Sequence, residues 1–359
     1  MDYQQLRQEA QTRRRAPTTA FMSAGVCSNA VGAGAVVEAL RQEVARRGLA
    51  AAMVEAGCDG ACYEGPSLFV ARADAARLRL APVTAADVPE LVNRLAAGDG
   101  DGLWQGRPVS WKAAQGEDPF WRGQRRRVLA RCGRSDPRDM DGYVAEGGYR
   151  ALAQALASPP EEVIRRVQEA NLQGRGGAYF PAARKWQSAR AYPGPRYLVV
   201  NAEEGEPGVF KDRHLLEGDP HLLIEGMLIA AYAVGTEKGV IYLNGQAELA
   251  AAVLSHALVQ ARQRGLLGES VLGSSFAFDV EVRRGAGGYV CGEESVILES
   301  LEGQRAMPRT RPPFPTEAGL WGQPTVINNV ETLANVPLVL AEGIAAETKL
   351  VCLSGSVRR

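Results

Sequence analysis

Three loops of this chain set glycines beside charged side chains in an arrangement that could grip a large anion and a polar ring. The first, GRGGAYFPAARKW, occupies positions 174–186. Gly174, Gly176 and Gly177 let backbone N–H groups come within bonding range of a bulky phosphate, and Lys185 adds positive charge one helical stretch later. The loop matches neither G-x-x-x-x-G-K-[ST] nor a G-x-G-x-x-G that follows a strand. The second, NAEEGEPGVFKDR at 201–213, crowds Glu203, Glu204 and Glu206 together after an apolar stretch. Carboxylates this close repel one another unless something holds them, and they can accept hydrogen bonds from sugar hydroxyls or ring N–H groups. A solvated acidic turn capping the next helix is the alternative. The third, GAGGYVCGEES at 285–295, repeats the theme with Tyr289, Gly292, Glu293 and Glu294, although acids in a first helical turn also suit the helix dipole. Cys291 reads as a small packed residue, with no histidine or partner cysteine nearby. Two shorter segments join them. INNVETLANVP (327–337) sets Asn328 and Asn329 before a helix with Thr332 one turn in, where an asparagine can also be a simple cap. RTRPPFP (309–315) stiffens Phe314 among prolines, a stacking surface for a planar ring.

Such loops need a frame. Residues 196–201 (RYLVVN) read as a buried strand, 218–235 as an apolar helix, 239–243 as a second strand, 246–264 as a helix and 276–282 as a third strand. A helical pattern at 161–172 runs straight into the first loop. Strands alternating with helices imply a mostly parallel sheet covered on both faces, with ligands beyond the carboxyl ends of its strands. Upstream, residues 21–80 read as a small α/β unit: an apolar start, Cys27, a helix stopped by Gly48, strands near 51–54 and 66–70, and Cys58 and Cys62 between them. A helix capped by Thr84 follows at 84–95. The Gly- and Trp-rich stretch 99–119 reads as a linker, and the chain after Phe120 as a strand-like piece, a turn and helices.

Composition narrows the class. Of 359 residues, 46% are hydrophobic and 23% charged, the profile of a globular protein. Lys+Arg 41 balances Asp+Glu 41, so no overall field favours nucleic acid or an anionic membrane. No run reaches the roughly 18 apolar residues of a membrane span, and the polar N-terminus lacks a secretory core, which places the chain in the cytoplasm without membrane insertion. Six cysteines are too sparse for a disulfide scaffold.

Together the five loop segments resemble, in order and spacing over about 120–345, the FMN- and NADH-binding flavoprotein subunit of respiratory complex I. That family includes diaphorase subunits of NAD-reducing and electron-bifurcating hydrogenases and of NAD-dependent formate dehydrogenases. The resemblance implies an α/β chain with a thioredoxin-like domain followed by a Rossmann-like flavoprotein domain built on a mostly parallel sheet. Its parts would be a polar extension (1–20), the thioredoxin-like domain (21–98), the linker (99–119), the FMN/NADH domain (120–345) and the opening strand of a β-rich domain (346–359). The rest of that β-rich domain and the helical [4Fe-4S] domain are absent from the sequence, which has no C-x-x-C-x-x-C set. Either the chain is a fragment, or electrons leave through another polypeptide.

Carried onto this sequence, the resemblance gives Gly174, Arg175, Gly176, Gly177 and Lys185 to the FMN phosphate and the flank of the flavin. Asn201, Glu203, Glu204, Gly205, Tyr289, Gly292, Glu293 and Glu294 would line its ring and ribityl chain. Ile327, Asn328, Asn329 and Thr332 would close the phosphate side. Phe180 and Phe314 would stack on the adenine of NAD(H), with Arg311 where a lysine often sits. Glu206 would bind the adenosine ribose and repel a 2′-phosphate. No side chain is assigned as a proton donor; Glu204 and Glu294 lie near the flavin. The implied activity is hydride exchange between NAD(H) and FMN, with single electrons passed to iron–sulfur proteins of a larger complex. The alternative is a docking or assembly subunit that has lost its flavin. The sequence departs from the family at Tyr179 (usually glycine), Glu203 (usually aspartate) and 244–247 (NGQA for Arg-Gly-Glu-aromatic). In the thioredoxin-like part, Cys27, Cys58 and Cys62 match three ligands of a [2Fe-2S] cluster, but Val31 or Gly32 stands where the fourth belongs. The site reads as a remnant.

Overall fold

The computed structural model describes residues 1–13, 20–49, 53–71, 77–96, 122–343 and 348–353. It divides into two units. One comprises Met1–Arg13, Met140–Leu216 and Pro220–Arg359, the other Arg14–Asp139 and Glu217–Asp219. The 99–119 linker lies outside the described residues.

In the unit containing Arg14–Asp139, β1 (Ala20–Ser23) pairs in parallel with β2 (Met53–Ala56) and antiparallel with β3 (Leu68–Ala71), which pairs antiparallel with β4 (Arg77–Leu80). The sheet order is β2-β1-β3-β4. The helices Ala33–Arg46 and Val88–Ala96 contribute Val36, Val37, Leu40, Leu91 and Val92 to a core shared with Met22, Leu68 and Leu80. Alternation along β3 sends Leu68 and Val70 to that core and Phe69 to the opposite face, beside Phe21 and Ala56. A βαβ pair followed by a β-hairpin and a helix is the thioredoxin-like arrangement. Strand β2 is described from Met53, the first two residues of the expected 51–54 strand lying outside the described residues, and β4, whose Arg-Leu-Arg-Leu looks too charged for a sheet, escapes sequence reading altogether.

In the other unit, β5 (Tyr197–Ala202), β6 (Lys238–Leu243), β7 (Asp279–Arg284) and β8 (Thr325–Asn329) form an all-parallel sheet in the order β7-β6-β5-β8. The helix Pro220–Val234 is largely apolar and buried along nearly its whole length. Gly226 makes this possible, because a β-carbon there would lie 2.0 Å from the carbonyl oxygen of Leu333 on the helix Val330–Glu342. Gly226→Ala forces two backbones apart. Even after the gain in helix propensity it is expected to cost about 2 kcal/mol, read from urea unfolding. Buried Glu225 ties the same helix to its neighbours by accepting hydrogen bonds from Tyr143 Oη (2.6 Å) and from the backbone N–H groups of Tyr149 (2.8 Å) and Leu152 (3.2 Å).

Four expectations change. The strand-like piece after Phe120 is a run of turns across the described part of 122–139. β7 starts at Asp279, because Phe278 is held in an isolated bridge to Gly268. β8, hidden behind the reading of Asn328-Asn329 as a cap, is a full parallel partner of β5. Residues 348–353, expected to open a β-rich domain, carry no strand; Leu350 N–H donates to Glu331 Oε1 (2.6 Å) instead.

Candidate functional site

The loops that follow β5, β6, β7 and β8 emerge together at the carboxyl edge of the parallel sheet, where the alternating pattern places a ligand. The 174–180 loop is closed at its base by Gly174 N–H donating to Phe180 O (2.9 Å) and Ala182 N–H donating to Leu172 O (2.9 Å). It is pinned to the edge by Arg175 N–H, which donates to Thr332 Oγ1 (2.9 Å). Gly176 passes so close to Asn329 that a β-carbon would sit 3.2 Å from that side chain, and Gly177 adopts φ +116°, closed to most L-residues. The N–H groups of Gly176 and Gly177 have no hydrogen-bond partner among the described residues. Arg175 contributes backbone to this loop; its guanidinium donates to the carbonyls of Gln173 (3.0 Å) and Thr348 (3.2 Å). Tyr179 keeps the left-handed backbone (φ 55°) of the glycine usual there, and its ring is exposed, with Lys349 Nζ 4.9 Å from the centroid.

Lys185 pairs with Glu294 and donates to Ile327 O at 2.9 Å. Its ammonium is therefore held between the third loop and the end of β8. Asn201 Nδ2 donates to Gly292 O (2.8 Å), joining the second loop to the third, while a β-carbon at Gly205 would come within 3.3 Å of the Tyr289 backbone. Glu293 caps the helix Glu294–Leu301 by accepting from Ser295 N–H (2.8 Å) and Val296 N–H (3.0 Å), and it also holds Arg311. Glu204 caps the helix Lys211–Gly218 in the same way, accepting from Asp212 N–H (2.7 Å) and Arg213 N–H (2.9 Å). Asn328 turns inward and accepts from Trp186 Nε1 (2.9 Å), so it braces the helix Ala182–Ala191. Asn329 caps the helix Val330–Glu342. Phe180, Tyr289 and Phe314 present exposed rings, and Glu206 is exposed.

Glu203 is the anomaly. It is buried, accepts from Asn244 Nδ2 at 2.8 Å through Oε1, and leaves Oε2 without a partner among the described residues. Burial, reinforced by the nearby charge of Glu206, raises its pKa to about 7. Burial and the neighbouring Asp212 raise Glu204 as well. Gly285 lies against the bare oxygen: a β-carbon there would come within 2.6 Å of Glu203 Oε2 and 2.7 Å of Tyr242 Oη. A carboxyl whose folded pKa exceeds its unfolded value binds an extra proton between the two, so its stabilising contribution is present at low pH and disappears as pH rises through about 7. Glu203→Gln, neutral throughout, is accordingly expected to match the parent near pH 4 and exceed it by roughly 3 kcal/mol at pH 8 in urea unfolding.

Sequence reading passed over Lys211 and Asp212, although both lie inside the quoted second loop. Lys211 Nζ reaches Asp212 Oδ1 (2.8 Å), Asn329 Oδ1 (3.2 Å) and Glu331 Oε2 (3.1 Å), and Asp212 Oδ2 accepts from Asn329 Nδ2 (2.6 Å). Burial disfavours the ammonium, yet Asp212 and Glu331 hold its pKa above the ordinary value. This network locks the second loop to the end of β8. Only the Lys-Asp pair itself could have signalled it.

In the thioredoxin-like unit, Cys27 is exposed, Cys58 buried and Cys62 half-buried, with 3.8 Å between the sulfurs of Cys58 and Cys62. Val31 and Gly32 offer no thiolate, and among the described residues no group of three or more His, Cys, Asp or Glu is arranged to hold a metal ion. These residues do not fit a four-thiolate [2Fe-2S] centre. The glycine and acidic loops do fit the FMN that the resemblance implies: two glycine N–H groups and a buried carboxyl oxygen without partners among the described residues suit a phosphate and a ring edge. No helix among the described residues is long and apolar enough to cross a membrane.

Comparison with known proteins agrees with the geometry. An NADH-quinone oxidoreductase subunit of Aquifex aeolicus is 49% identical over 216 residues, covering 60% of this chain and 51% of that protein. The NADP-reducing hydrogenase subunit HndC of Solidesulfovibrio fructosivorans is 43% identical over 246 residues, covering 66% of this chain and 50% of that protein. The chain thus spans about half the length of these curated relatives. A solved structure of an NAD+-reducing [NiFe]-hydrogenase in the H2-reduced state superimposes with a TM-score of 0.52 at 26% identity, over 95% of this chain and 58% of that one. Residues 167–338 match the family model described as the Nuo51 FMN-binding domain.

Proposed function

We propose that residues 120–345 bind FMN at the carboxyl edge of the parallel sheet and NAD(H) against it, forming the diaphorase element of a larger redox complex with iron–sulfur partner subunits. The chain would work in the cytoplasm, peripheral to any membrane-bound part of that complex. Bound FMN supplies hydride exchange with a nicotinamide and one-electron exchange with iron–sulfur centres. The observation that carries this reading is the glycine loop: Arg175 N–H fastens it to Thr332 while the next two N–H groups stay unpartnered among the described residues.

The chain's own residues then bind and orient. Gly176 and Gly177 hold a phosphate through backbone N–H groups, with the Lys185 charge nearby. Glu203, half-protonated near pH 7, can donate or accept a hydrogen bond through its bare oxygen at a ring edge. Phe180 and Phe314 offer exposed faces to an adenine. Glu206 hydrogen-bonds ribose hydroxyls and repels a 2′-phosphate.

Purified protein is expected to be yellow, to bleach with NADH and to reduce ferricyanide with NADH. A colourless protein that takes up no added FMN would favour the docking-subunit reading. Glu206→Gln is expected to raise the NADPH-to-NADH ratio of kcat/KM about 10-fold or more by removing the repulsion, and an unchanged ratio removes Glu206 from specificity.

A further inference from the structure

The loop after β2 holds two sulfurs in a frame that the flavin chemistry does not use. Cys58 and Cys62 lie 3.8 Å apart, so a bond of about 2.05 Å needs a closure of roughly 1.8 Å, within reach of side-chain rotation. The three residues between them are fixed from several sides. Asp59 N–H donates to Ser23 Oγ (3.2 Å). Asp59 Oδ1 accepts from Ala61 N–H (2.9 Å), while Oδ2 accepts from Ser67 Oγ (2.8 Å) and Arg79 Nε (3.0 Å). Gly60 turns the chain at φ +92° and donates its N–H to Cys58 Sγ at 3.3 Å. Gly25, at the end of β1, allows the whole loop to seat, because a β-carbon there would lie 2.7 Å from Cys58 Cβ. The parallel β1–β2 pair thus brings both segments to one edge.

We propose that Cys58 and Cys62 form a reversible dithiol/disulfide couple in the position where the fold family carries an iron–sulfur cluster. Access is asymmetric: half-buried Cys62 can reach a sulfur of a small disulfide, and buried Cys58 then resolves the mixed disulfide. With oxidised glutathione as the small-molecule disulfide, one Cys58–Cys62 S–S bond forms and two S–H bonds break. The glutathione S–S bond is cleaved, and its two sulfurs leave with two protons and two electrons as two glutathione thiols. Cys27, whose sulfur also contacts Cys62, sits on the exposed face of the helix Val26–Ala30 and is a bystander to this pairing.

The full chain, reduced with dithiothreitol and desalted, would be assayed for iron and acid-labile sulfide. It would then be equilibrated across glutathione redox buffers, trapped with N-ethylmaleimide and mapped by peptide mass spectrometry. The expected result is near-zero iron and sulfide, loss of two of the six alkylatable thiols in oxidising buffer, a Cys58–Cys62 crosslink and full recovery with dithiothreitol. Cys27→Ser should retain the crosslink and Cys62→Ser should lose it. Six alkylated thiols at every potential, a Cys27–Cys62 crosslink, or about two irons and two sulfides per chain would each overturn the proposal. None of these readouts depends on flavin.

Discussion

Arg79→Ala is expected to destabilise the thioredoxin-like unit by about 3–5 kcal/mol. Arg79 is 3% exposed and bridges two buried carboxylates, Asp59 through Nε (3.0 Å) and Glu64 through Nη1 (2.6 Å). It faces Phe69 across the β3–β4 register, with its guanidinium carbon 5.9 Å from that ring. Truncation would strand two negative charges away from water, which costs far more than an exposed ion pair contributes. Hydrogen exchange over residues 53–71 should accelerate by at least two orders of magnitude, while peptides from β5 to β8 keep their protection. Arg79→Met with Asp59→Asn and Glu64→Gln should recover much of the loss. If the single variant exchanges like the parent, Arg79 is not what closes this loop.

Gly177→Val should lower FMN affinity about 100-fold or more. At φ +116° a β-branched residue is close to forbidden, so the loop must refold locally and lose the run of N–H groups that makes it a cradle. A penalty of about 2.7 kcal/mol corresponds to that factor. Gly303, also at positive φ (75°) with no atom within 4 Å of the β-carbon it lacks, is the control, and Gly303→Val should leave affinity unchanged. Fluorescence titration with FMN reads both. Equal affinities for parent and Gly177→Val would detach the glycine loop from flavin binding.

The frame of the site was legible because β5, β6 and the helix Pro220–Val234 are long apolar runs that no other structure would bury. The glycine loop was legible because glycine is a statement about backbone. Strands β4 and β8 were not, since Arg79 and Asn328 are polar side chains whose partners lie 15 or more residues away in sequence. The same limit hid Lys211, whose meaning comes from Asn329 and Glu331. Composition could flag Glu203 as one carboxylate among three. It could not say that Glu203 alone is buried with a bare oxygen, or that Glu204 and Glu293 serve as helix caps.

The hydrogen bond between Asn244 and Glu203 joins two positions that both differ from the family pattern. The acid is longer by a methylene and its amide partner is shorter than the usual arginine, so each change makes room for the other. Exchanging one of them alone would leave either a gap or a collision at this buried contact. The pair is therefore energetically linked, and a double-mutant cycle across Glu203 and Asn244 should show strong coupling.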